Sequence, residues 1–137
     1  MSRRKLQRKI ITPPTIKGFS VFGPSRKKGE KIRLFLEEYE SIRLLDFENM
    51  TQEQAAVHME VSRPTLTRIY EKARRKVAQS LIEGTDMIIS GGEYIFDKSW
   101  FRCESCQANF NIFDDQESCC PVCKQTEIIS LNSYYSA

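Results

Sequence analysis

From Leu36 to Asn49 the apolar residues Leu36, Tyr39, Ile42 and Leu45 recur at every third position with acids between them, the pattern of a helix with one buried stripe and an otherwise solvated surface. Its acids Glu37, Glu38 and Glu40 favour the positive end of the helix. Thr51-Gln52-Glu53-Gln54 has capping-box order, in which the Thr hydroxyl accepts the N3 backbone N–H and the Gln side chain reaches back to the cap. A second, short helix is therefore predicted from about Gln52 to Met59. Ser62 is a good cap for a third, and Pro64 falls in the first turn, where N–H groups have no helical partner. In that helix Leu66, Ile69, Tyr70, Ala73, Val77 and Leu81 keep i, i+3, i+4, i+7 spacing, and Gly84 supplies a left-handed stop. Ile16 to Phe22 and Ile32 to Leu36 have β-like composition. Met87 to Phe96 is interrupted by Gly91-Gly92, a hairpin signal. These strands are expected to pair with one another, within one chain or between two.

Composition adds limits. The chain has 137 residues, 40% of them hydrophobic and 28% charged, which suits one ordinary domain or two very small ones and excludes collagen, low-complexity disorder and long coiled coil. Apolar runs fall far short of the roughly 18 residues a membrane span needs, and the basic start leads into Pro13-Pro14 rather than a signal core. Five cysteines, all after residue 102, are too few for a disulfide scaffold, and an odd number cannot pair completely. A reducing, cytoplasmic protein is expected.

The net charge of +3 conceals three blocks. Residues 1–33 hold eleven Lys or Arg against one acid, residues 34–84 seven against nine, and residues 85–137 three against eight. Within the third helix, six basic residues between Arg63 and Lys76 face the single acid Glu71. A short helix, a brief turn and a longer basic helix beginning with Arg and Thr is what major-groove reading needs. Arg63, Thr65, Thr67 and Arg68 are the candidates for base edges, and Lys72, Arg75 and Lys76 for phosphates. Arg3, Arg4, Lys5, Arg8 and Lys9 form either an arm reaching along DNA or a solvated tail. His58, the only histidine, reads as a partly exposed packing residue.

The stretch Gln52 to Ile69 resembles a helix-turn-helix of the sigma-factor region-four type, with small Ala56 where the helices cross and Ala55, Met59, Val61, Leu66 and Ile69 at buried positions. More widely, Glu37 to Asp46, this motif and Ala73 to Ala78 resemble a functionally uncharacterised prokaryotic family of predicted DNA-binding proteins, over roughly residues 8 to 92. The resemblance implies DNA binding. Glu60 stands where the motif commonly has glycine, which predicts a differently built turn. Phe35 stands where related sequences put a capping Thr, which predicts a first helix that starts elsewhere or relies on packing.

Cys103-Glu104-Ser105-Cys106 and Cys120-Pro121-Val122-Cys123 are two Cys-x-x-Cys knuckles at a separation that fits a hairpin. Four thiolates suit tetrahedral zinc, with iron the less favoured occupant, and leave no open position for metal catalysis. The layout resembles a zinc ribbon over about residues 98 to 132. So small a segment needs metal to fold, and structural zinc contributes roughly 10–16 kcal/mol of apparent binding free energy. Trp100, Phe101, Phe110 and Phe113 are read as its small core. Cys119 is spare, open to readings as a small packing residue, an alternative ligand or a redox partner.

The predicted class is mainly α: a three-helix helix-turn-helix domain with short β-strands plus a small β zinc-ribbon module. The expected divisions are a basic N-terminal arm (1–35), a helix-turn-helix DNA-binding domain (36–84), a connector hairpin (85–97) and a zinc ribbon (98–137). The expected function is sequence-specific binding of double-stranded DNA by the helix 63–82, as a transcriptional regulator, with a second copy or RNA polymerase as protein partners. The alternative is a redox- or metal-responsive switch acting through the four cysteines. No nucleophile–base arrangement, phosphate-binding loop or open metal site points to an enzyme.

Overall fold

A computed structural model describes residues 7–27, 29–113 and 117–136. Its helices begin and end at their sequence signals. The first, α1, spans Leu36–Ile42 and continues into a π-helical stretch, Arg43–Phe47. Phe35 is its cap residue, and the Phe35 N–H donates to the Glu38 carboxylate at 2.8 Å, so a side chain within the first turn satisfies the helix start. Helix α2 spans Gln52–Met59 with both halves of the capping box formed, at 3.2 Å for the Gln54 N–H to the Thr51 hydroxyl and 2.9 Å for the return bond. Helix α3 spans Arg63–Glu83, from the Ser62 cap to a left-handed Gly84. Between α2 and α3, Glu60 has φ 56° and ψ 45°. The turn is thus built as a glycine would build it, contrary to the expected departure, and a non-glycine residue there carries a steric cost.

The mainly-α class is corrected by the strands. Helix accounts for 36% and strand for 21% of the described residues, in three sheets, which makes this an α/β fold. Strand β1 (Arg8–Ile10) pairs in parallel with β5 (Tyr94–Phe96). Strand β4 (Asp86–Ile89) lies between β2 (Gly18–Phe19), antiparallel to it, and β3 (Lys31–Leu34), parallel to it. Because β3 and β4 are parallel, α1, α2 and α3 together form the crossover between them. The segment 85–97 is accordingly not a hairpin, since Gly91-Gly92 separates two strands that join different sheets. The third sheet has β6 (Trp100–Cys103) between β7 (Asn109–Asn111) and β8 (Ile128–Ser130), followed by a short α4 (Leu131–Tyr134). Local apolar runs announce such strands, but their partners lie far along the chain and periodicity does not name them.

Two buried clusters hold the helices and the first two sheets. Leu44, Ala55, Ala56, Met59 and Leu66 fix α2 against α3. Ile10, Leu34, Leu36, Ala73, Met87, Ile89 and Phe96 form the larger cluster, and the C-terminal residues Leu131 and Tyr135 complete it. The Asn132 side chain brackets Phe96 like a paired strand, accepting its N–H at 2.9 Å and donating to its carbonyl at 3.1 Å. The stripe on α3 extends beyond this packing: Val77 and Leu81 towards its end are 40% and 78% exposed.

Helix α1 departs furthest from its expected solvated surface, because Glu37, Glu38 and Glu40 are all buried. Glu40 pairs with the Arg43 guanidinium at 2.6 and 3.1 Å and accepts the Ile11 N–H at 2.9 Å, just past β1. Glu38 accepts Lys76 Nζ of α3 at 2.6 Å. Glu37 accepts the Glu93 N–H at 2.9 Å through one oxygen, while its other oxygen has no hydrogen-bond partner. Gly92 gives that carboxylate its room, since a Cβ there would overlap it. Each acid therefore compensates its burial by tying α1 to backbone or charge, and Glu37 does so least completely.

Glu60→Gly is expected to stabilise the protein by about 0.5–1 kcal/mol and Ser62→Ala to destabilise it by about 1 kcal/mol in denaturant unfolding; a destabilised Glu60 variant would contradict the strain at that turn. Burial raises the Glu37 carboxyl above its ordinary value, opposed by the N–H of Glu93. A raised folded-state value means that ionisation opposes folding, so this group's contribution grows as pH falls from neutrality through that value. Relative to Glu37→Gln, the natural chain should gain stability as pH falls from neutrality toward the ordinary carboxylate range, and the opposite trend would refute the assignment.

Candidate functional site

The four knuckle cysteines converge. Cys103, Cys106, Cys120 and Cys123 have sulfurs that all lie within 4.8 Å of one another, and they can hold a metal ion. The Cys103–Cys123 and Cys106–Cys120 sulfur separations are 3.4 and 3.6 Å, close to the roughly 3.8 Å edge of a tetrahedron with metal–sulfur bonds of about 2.3 Å. The two halves are built alike. Gln107 and Lys124, each following its second cysteine, have φ of 67° and 66°. Their N–H groups donate to the Cys103 and Cys120 carbonyls, both at 2.9 Å. Within each turn a backbone N–H, from Cys106 and from Val122, points at the first sulfur at 3.4 Å, a donor set that stabilises thiolate.

Charge is shared unevenly among the four thiols. Burial opposes ionisation of Cys120, but the N–H groups of Cys123 and Val122 and the neighbouring thiols bring it down to about 6. The Cys106 N–H chiefly lowers Cys103, while Cys123 is pushed up to about 12 by neighbouring sulfurs, against the N–H of Gln125 and with help from burial. Loading a metal therefore has to displace protons. Cys119 lies outside the cluster. Phe101 and Phe110 stack at 6.5 Å beneath it, whereas Trp100 packs against the larger core and Phe113 is 59% exposed.

The second candidate surface is α3. The Ser62 hydroxyl accepts the Thr65 N–H at 3.3 Å, and Arg68 donates to the Thr65 hydroxyl at 3.2 Å, so the helix start and the arginine are held together. Arg63 is 61% exposed and pairs with Glu53 of α2 at 2.9 Å. Thr65, Arg68 and Lys72 line one side of α3, in a cleft of about 830 Å³ that Arg8 also lines. Thr67 and Arg75 line a smaller groove on the other side, and the Thr67 hydroxyl turns to Gln52 of α2 at 2.5 Å. Lys76 is held inward: besides Glu38 it donates to the Arg33 carbonyl at 2.9 Å and lies 4.0 Å above the Phe35 ring. Sequence reasoning passes over Arg74, which lines the smaller groove and sits over the Tyr70 ring at 5.3 Å; its adjacency to Arg75 is the available signal. Arg8 and Lys9 belong to the paired strand β1, while Arg3, Arg4 and Lys5 lie outside the described residues. Among the described residues no helix is long and apolar enough to cross a membrane.

A family described as protein of unknown function DUF134 matches residues 1–97, a span that takes in α1 to α3 and stops before the knuckles. The chain is 39% identical over 132 residues to a UPF0251 protein of Clostridium novyi, covering 96% of this chain and 90% of that protein. A UPF0251 protein of Caldicellulosiruptor bescii is 37% identical over 111 residues, 81% of this chain and 77% of its own. One from Methanothermobacter thermautotrophicus is 34% identical over 128 residues, 93% of this chain and 67% of its own. No solved structure matches.

Replacing Cys106 or Cys123 by Ser should abolish stoichiometric metal retention after purification in zinc-containing medium, measured by elemental analysis, whereas Cys119→Ser should retain one metal per chain. Loss of metal in the Cys119 variant would redraw the ligand set.

Proposed function

We propose that this chain, which belongs to the DUF134 family found in both bacteria and archaea, is a sequence-specific DNA-binding protein and a transcriptional regulator. The observation that carries the reading is the exposed first half of α3. Arg63, Arg68 and Lys72 stand in solvent there, with Arg75 just beyond, around a helix start fixed by Ser62 and Pro64, against the single acid Glu71. Helix α2 crosses behind it through Ala55, Ala56 and Met59, and the left-handed turn at Glu60 sets the angle between the two. This is a helix-turn-helix unit carried on an α/β framework. A helix so mounted enters a major groove N-terminal end first, with bidentate arginine suited to guanine and cations along the helix suited to phosphate.

The roles divide by geometry. Arg68, steadied by Thr65, reads a base edge together with Arg63, while Lys72 and Arg75 contact the flanking phosphates. Thr67 positions α3 against α2 through Gln52, and Lys76 anchors α3 to α1. Cys103, Cys106, Cys120 and Cys123 would hold zinc as a closed structural site. Bound there, it would stabilise the third sheet, and with it the module that would face a second copy or RNA polymerase.

Arg68→Ala should cost on the order of 1–3 kcal/mol at the preferred duplex and relax its sequence preference, while Lys72→Ala should weaken all duplexes alike and flatten the salt dependence by roughly 0.9. Equal losses on preferred and random duplex for the Arg68 variant would contradict its role.

A further inference from the structure

The cleft beside α3 is built unlike a plain phosphate track. Arg8 comes from β1, and Arg68 and Lys72 come from α3, on walls that also carry Glu93 and the Lys76–Glu38 pair at 2.6 Å, whose charges offset each other. Among the described residues none of the three has an ion pair. Glu37 also lines the cleft, 6% exposed, with one oxygen anchored on the Glu93 N–H at 2.9 Å and the other buried without a partner. Gly92 also lines the cleft, and its missing side chain is what leaves the carboxylate in place. The volume, about 830 Å³, is within the range that holds a small molecule.

The buried Glu37 carboxylate asks for more than a duplex backbone supplies. DNA phosphodiesters carry no hydrogen-bond donor near the phosphate, so a duplex that meets Arg68 and Lys72 at their exposed ends leaves Glu37 unsatisfied. A phosphomonoester that also bears hydroxyl or amino groups meets both demands: its phosphate faces Arg8, Arg68 and Lys72, and a donor a few ångströms away, pressed in beside Gly92, satisfies the buried, unpartnered Glu37 oxygen. We propose that this cleft is a binding site for a small phosphorylated ligand with a neighbouring hydrogen-bond donor, of the nucleoside monophosphate class. Arg68 and Lys72 would then be shared with DNA, so the ligand would act as an effector that competes with duplex. That consequence rests on the DNA-binding reading; the site itself does not.

The test is isothermal titration of the full-length, metal-loaded chain without DNA, using AMP, inorganic phosphate and adenosine as probes. AMP should bind saturably, one per chain, and at least about tenfold more tightly than inorganic phosphate, with adenosine not binding measurably. Arg8→Ala and Lys72→Ala, both at side chains outside the core, should each weaken AMP by about tenfold or more. Glu37→Gln should bring AMP to within about threefold of inorganic phosphate. Absence of saturable AMP binding, AMP no tighter than phosphate, or AMP affinity unchanged in both cation variants would overturn the site. None of these readouts involves DNA, so a failure of the DNA reading leaves them intact. With AMP saturating, a weakened duplex affinity supports shared use of Arg68 and Lys72, and an unchanged one overturns the competition.

Discussion

Helix α1 carries three carboxylates out of water, and the arrangement of the surrounding elements follows from where each finds its partner. Glu40 reaches the backbone beyond β1, Glu37 the backbone at the start of β5, and Glu38 the ammonium of Lys76 on α3. An isolated buried charge is strongly unfavourable, and stripping one partner from a buried pair costs about 3–5 kcal/mol. α1 can therefore occupy its place only when β1, β5 and α3 occupy theirs. The parallel pairing of β1 with β5 brings together chain segments more than 80 residues apart, and the acids of α1 bind both ends of that pairing. For α3 the consequence is directional. Its middle is held at Ala73 in the core and at Lys76 by Glu38, leaving the first half of the helix to project with its cations exposed.

The cysteine-bearing end is tied to the same core. Strand β8 pairs with β6 beside Cys103, and directly after β8 the short α4 delivers Leu131 and Tyr135 into the larger cluster. The Gly91 N–H donates to the Tyr135 carbonyl at 3.2 Å, and Arg102 and Lys17 lie over the Tyr134 ring, each 4.6 Å from its centre. A metal ion at the four sulfurs would thus do more than fold an appendage. It would fix the sheet from which the last core residues are supplied, so metal loading and the packing around Phe96 are physically coupled.

Local signals are legible in the chain and distant ones are not, for a common reason. Thr51, Ser62, Pro64 and Gly84 act within one helical turn, so α2 and α3 are delimited by the sequence alone. The paired Cys-x-x-Cys spacing likewise names its own cluster. The buried set of α2 and α3 follows from periodicity, with Val77 and Leu81 the positions where apolar character outruns packing. Relations between remote residues leave no such mark. The acids of α1 have the ordinary look of a solvated helix start, and nothing near them in sequence points to Ile11, Lys76 or Glu93 as partners. Gly91-Gly92 has the composition of a hairpin turn, yet it serves to separate strands of different sheets and to make room for Glu37. Strands understated in this way produce a mainly-α expectation for an α/β chain. On α3 the basic residues are visible but their faces are divided only by the fold, which turns Lys76 inward and Thr67 toward α2.

Whether the exposed half of α3 reads sequence is measured most directly by selection of bound duplexes from a random library with the full-length, metal-loaded chain. Convergence on a defined motif, over repeated rounds at about 0.15 M salt, is the predicted result. Retention of duplexes without enrichment of any motif would contradict it.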